Sequence, residues 1–129
     1  MSLAAVENWE TKLRAAFDRV DRHLEETYGR RFTCRPGRPA DGEGVTRDAD
    51  GIFDLSVGFT AGFGSAYGEG YVFRVRLATS DPVAPDLQKT IEAEAVGFLS
   101  DELEKAFPGR ELRIVSEAGH YKIIGDLRL

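Results

Sequence analysis

Two stretches of this chain repeat large apolar residues at every second position, and that periodicity restricts the fold more than any other feature. In "IFDLSVGFT", residues 52–60, Phe53, Leu55, Val57 and Phe59 point one way, and Asp54, Ser56, Gly58 and Thr60 the other. In "YVFRVRLA", residues 71–78, Tyr71, Phe73, Val75 and Leu77 alternate with Val72, Arg74, Arg76 and Ala78. Side chains on a strand change face at every residue, so each stretch turns one face to a core and the other to water or a partner. Their closeness in the chain predicts an antiparallel hairpin.

The flanking segments carry the helical period instead. Val6, Trp9, Leu13, Phe17, Val20, Leu24 and Tyr28 recur every three or four residues, which predicts an amphipathic helix over 3–28 that stops at Gly29. Asp81-Pro82 and Pro85 announce a second helix, because proline suits a first turn. Its apolar face holds Leu87, Ile91, Ala95, Phe98, Leu99, Leu103 and Ala106, and "FPG" ends it. That face is broad enough to need more than one neighbour: the sheet plus the other helix, or a second subunit. Within it stand Glu92 and Glu102, too far apart along a helix to work as an acid/base pair and each in need of a partner. "ELRIVS" and "YKIIGDLRL" then predict two more strands around the turn "EAGH".

The resulting order, α-β-β-α-β-β, predicts an α+β fold: a two-layer sandwich with a mainly antiparallel sheet of about four strands and two helices on one face. At 129 residues the chain is expected to be a single domain, 1–129, with an irregular Arg/Pro/Gly-rich segment at 29–51. The helix–GxxG–helix element of KH-type RNA-binding domains is absent, since the glycines here lie between strands.

Charge and composition exclude several classes. A formal net charge of −5 repels polyanions, so nucleic acid is not an expected partner. No apolar run approaches the roughly 20 residues that cross a bilayer, and no secretory leader is visible, so a cytoplasmic protein without membrane contact is expected. The single cysteine, Cys34, excludes an internal disulfide and a multi-thiolate zinc site.

Between the two alternating stretches lies "AGFGSAYGEG". Gly62, Gly64, Gly68 and Gly70 alternate with Phe63, Ser65, Ala66, Tyr67 and Glu69. Glycine-rich backbone can cradle an anion, but the Walker and Rossmann patterns both require a helix to follow, and here a strand does. A wide hairpin bend whose glycines take positive φ is the expected form. Two aromatics at its tip, Phe63 and Tyr67, must then pack on the sheet or meet a ligand or a second chain.

Arginines form the other feature. Arg30, Arg31, Arg35 and Arg38 cluster, and Arg74 and Arg76 share the polar face of one strand. With Gly64 and Tyr67, the residues Arg35, Arg38, Arg74 and Arg76 are the candidate ligands for a carboxylate or phosphate. The competing expectation pairs them with Asp41, Glu43, Asp48, Asp50 and Asp54. "DADGIFD" is a turn capped by aspartates rather than a calcium loop, because the closing position would fall on Val57 inside a strand. Cys34, His23 and His120 complete a thin catalytic inventory, with neither a metal nor a cofactor expected.

The function expected from these residues is a small non-catalytic binding or interaction module acting as a homodimer, whose partner is a second copy or another protein. Two alternatives stand beside it: an anion-binding domain for a phosphorylated or carboxylated small molecule, and a small enzyme using Cys34 or His120.

Overall fold

A computed structural model describes residues 3–33 and 51–128. The elements follow in the order α1 (Leu3–Tyr28), β1 (Phe53–Asp54), β2 (Val57–Thr60), β3 (Gly70–Phe73), β4 (Arg76–Leu77), α2 (Pro85–Ala106), β5 (Leu112–Glu117) and β6 (His120–Gly125). This is the α+β order α-β-β-α-β-β. The α-helix ends at Tyr28, as its spacing predicts, and a single 3₁₀ turn, Gly29–Arg31, carries the chain away from it.

The hairpin runs as one register through two sheets. Phe53 pairs with Leu77 and Asp54 with Arg76; three residues on, Val57 pairs with Phe73 and Thr60 with Gly70. Between them the ladder is interrupted where the Asp54 carboxylate accepts the Ser56 N–H at 3.3 Å and the Ser56 hydroxyl at 2.9 Å. A side chain has taken the place of a cross-strand carbonyl. β1 and β4 therefore form a two-stranded sheet, and β2-β3-β6-β5 an antiparallel four-stranded one. Ala118 and Gly119, both at positive φ (50° and 81°), make the two-residue turn between β5 and β6.

The helical stripe is buried as its spacing requires: Trp9, Leu13, Phe17, Val20, Leu24 and Tyr28 all lie in the core. Phe17 meets Phe73 edge-on at 5.1 Å, and Phe73 stacks on Tyr121 at 5.5 Å. That column joins α1 to the inner face of the sheet. The Glu25 carboxylate accepts the N–H groups of Ile52 and Phe53 at 2.6 and 3.0 Å, which docks the start of β1 on α1.

On α2 the broad face is accounted for within the chain. Ile91, Ala95, Leu99 and Leu103 are buried, while Phe98 stacks under the His23 ring of α1 at 4.3 Å. Both glutamates of that face have partners. Arg19 donates to Glu102 at 2.5 Å, and Glu92 accepts from the Tyr121 hydroxyl at 2.7 Å and from Gln88 at 2.8 Å.

Three details differ from the sequence expectation. His120 opens β6 instead of lying in the turn, because the turn needs only Ala118 and Gly119. The last strand ends at Gly125, where φ reaches 118° and the chain leaves the sheet. Phe59 lies on the inner face yet is 57% exposed, since it stands on the sheet's edge strand beyond Val57, where the Tyr71 ring meets it edge-on at 5.4 Å.

Candidate functional site

Alternation along β6 puts Ile123 on the core side and Lys122 on the opposite face, beside Val72 of β3 and Val115 of β5. A lysine there would ordinarily reach into water. Lys122 is instead 1% exposed, because the glycine loop between β2 and β3 folds back over this outer face and closes above it.

The ammonium group has three acceptors. Lys122 Nζ lies 2.7 Å from Ser65 Oγ and 2.9 Å from the Gly68 carbonyl, both in the loop, and 2.9 Å from Glu117 Oε1 on β5. Three N–H donors and three acceptors satisfy the charge completely. Ser65 is used as fully: its hydroxyl donates to Glu117 at 2.7 Å, while its oxygen accepts from Lys122 and from the Tyr67 N–H at 3.1 Å. The Ser65 hydrogen bond, and then the Lys122 one, hold the Glu117 carboxyl below the ordinary carboxylate range. His120 stands 3.9 Å from Glu117 on the rim.

Glycine positions make the closure possible. At Gly62, where φ is 81°, a Cβ would run into the backbone of Gly68, so the two legs of the loop touch only because residue 62 is bare. Gly70 leaves room for the Lys122 stem to cross β3. The loop is thus the bend of a hairpin and also a cradle, and what it cradles is the chain's own lysine.

A serine beside a lysine can also be the pair that performs acyl transfer, where a neutral amine takes the hydroxyl proton. Here every lysine N–H has an acceptor and the serine proton points to a carboxylate. This geometry suits a strut rather than a nucleophile.

The strut holds up an exposed tip. Phe63 is 98% exposed and Tyr67 45%. Together with Phe59 they are the exposed large apolar side chains among the described residues, and all three fall between positions 59 and 67. No charged residue lies between Asp54 and Glu69, in a chain that is 30% charged.

The candidate anion ligands are distributed as follows. Gly64, with open space around its Cα, and Tyr67 lie on the loop. Arg74 and Arg76 are exposed at the other end of the hairpin, where Arg76 faces Asp54 across the β1–β4 backbone ladder. Arg35, Arg38 and Cys34, with the acids Asp41 to Asp50, lie outside the described residues. Among the described residues no group of His, Cys, Asp or Glu is placed to hold a metal ion, and no helix is long and apolar enough to cross a membrane. Spacing alone could not mark Lys122, Ser65 and Glu117 as a unit, because a lysine on a polar strand position carries no sign of what covers it.

A cleft of about 880 Å³ opens beside Phe59 and Tyr71 and is bounded by Glu69, Glu111 and Asp126. Arg128 also lines it, and its bond to Asp126 lowers that carboxyl to about 2.

A protein family described as "Uncharacterised protein" matches residues 4–125. A protein of Borreliella burgdorferi, also described as "Uncharacterized protein", is 32% identical over 106 residues, which is 82% of this chain and 83% of that one. No solved structure matches the chain.

Proposed function

The chain belongs to this family of uncharacterised proteins, and we propose that it serves as a small non-catalytic interaction module that works as a homodimer through its β2–β3 hairpin. One observation carries the reading: the exposed large apolar side chains among the described residues are Phe59, Phe63 and Tyr67, all in that hairpin. Aromatic side chains left in water on one element mark a surface that another molecule covers.

The buried Lys122 supports the same reading. A loop held at Ser65 and Gly68 keeps its tip in place before a partner arrives, so less conformational entropy is lost on association. The absence of charge between Asp54 and Glu69 fits self-association by a chain of net charge −5, which would otherwise repel its copy.

Sedimentation of the purified chain over a concentration series tests the proposal. The expected result is the mass of two chains for the wild type, and of one chain for Phe59→Lys with an unchanged circular dichroism spectrum. A single-chain mass for the wild type at every concentration overturns it.

A further inference from the structure

Resting on that reading, the geometry points to a definite interface: we propose that two copies join edge to edge through β2, about a two-fold axis at Gly58, so that their four-stranded sheets become one continuous sheet.

The four-stranded sheet has two edges, β2 and β5. They are guarded differently. β5 carries Arg113 and Glu117, charges of the kind that discourage strand addition, and both belong to the outer face. β2 reads Val-Gly-Phe-Thr, with neither charge nor proline, and among the described residues nothing pairs with its outer side. An unguarded edge with free N–H and C=O groups is a template for another strand.

The occupant that fits is β2 itself. An antiparallel pairing of β2 with its own copy, centred on Gly58, sets Phe59 opposite the partner's Val57 and Thr60 opposite the partner's Ser56. Phe59 and Val57 share the inner face, so the pairing covers the aromatic that the fold leaves 57% exposed. Thr60 and Ser56 share the outer face, where cross-strand hydroxyl pairs are favourable. Gly58 meets the partner's Gly58 with no side chain between them, and its surroundings are open, with no atom within 4 Å of a Cβ placed there. The strand is self-complementary at each position, as an isologous interface requires.

The register can be trapped. Facing residues in an antiparallel pair have Cα atoms roughly 4.5–5.5 Å apart, within the span of a disulfide. With Cys34→Ser in the background, Gly58→Cys should oxidise to a covalent dimer as its main product, while Arg113→Cys on the β5 edge should stay a single chain. On the unmodified chain, hydrogen exchange of the segment 57–60 should slow as concentration rises through the dimerisation range. A wild type that sediments as a dimer, with neither the Gly58 disulfide nor slowed exchange at 57–60, overturns the β2 interface and leaves the homodimer reading intact. A wild type that is a monomer throughout overturns both.

Discussion

The side chain of Lys122 lies across the bare backbone of Gly70: a Cβ at position 70 would stand 2.6 Å from Lys122 Cγ and 2.5 Å from the carbonyl oxygen of Ile123. One glycine thus lets a lysine from β6 pass over β3, reach the loop beyond and brace it.

Gly70→Ala puts a methyl group into that crossing. The lysine stem could swing aside but the Ile123 carbonyl belongs to a paired strand, so the substitution should cost about 1–3 kcal/mol, the range for overpacking a filled site. Urea unfolding measures it. Gly64→Ala, at an open position of the same loop, should lose less despite its positive φ of 78°.

Lys122→Met should destabilise more than Glu117→Gln. Removing the ammonium leaves the half-buried Gly68 carbonyl without its donor, at up to about 1–3 kcal/mol, whereas glutamine still offers an acceptor to Lys122 and Ser65. Faster exchange of the loop amides in Lys122→Met, at unchanged exchange in α1, would locate the loss in the brace.

The acid limb of the stability curve follows from Glu117. Its folded carboxyl lies below the ordinary 4.5, chiefly through Ser65 and then Lys122. A depressed carboxylate contributes stability that is fully present above the unfolded value and is lost as pH falls through the folded one. Glu117→Gln should therefore be less stable than the wild type at neutral pH and should close that gap as the pH drops below 4.5. Denaturant midpoints on both sides of that value test it.

At the alkaline end the group is Tyr121. Burial, and then the hydrogen bond to Glu92, push its hydroxyl up to about 12 from the ordinary 10.0. The folded state therefore keeps a proton that the unfolded state releases, and this contribution disappears as pH rises from 10.0 toward 12. Tyr121→Phe should flatten the alkaline loss of stability, and near-ultraviolet titration should show one late tyrosine fewer.

Ala118 is the described non-glycine residue at positive φ. Asparagine tolerates that region better, so Ala118→Asn should raise stability by about 1 kcal/mol. Thermal unfolding would show a higher midpoint without any change in mass or spectrum.

Much of this architecture is legible in short windows of the chain. Trp9 to Tyr28 and Ile91 to Leu103 declare helices, and Phe53 to Leu55 and Tyr71 to Val75 declare strands, because side-chain period depends on backbone geometry over a few neighbouring residues. The partners of Glu92 and Glu102 were foreseeable in kind, as a carboxylate on an apolar face must find a donor, but not in identity.

What tertiary structure alone decided is the meeting of Ser65 with Lys122, 57 positions apart, and the stranding of Phe59 at the sheet's edge. Both depend on how far the covering layers extend and on where a loop falls after the sheet has assembled. Alternation assigns a residue to a face of a sheet; it does not say whether that face is bare, covered by helices, or roofed by a loop. Lys122 and Phe59 therefore exchange the environments their positions imply: the lysine on the polar face is buried, and the phenylalanine on the apolar face stands in water.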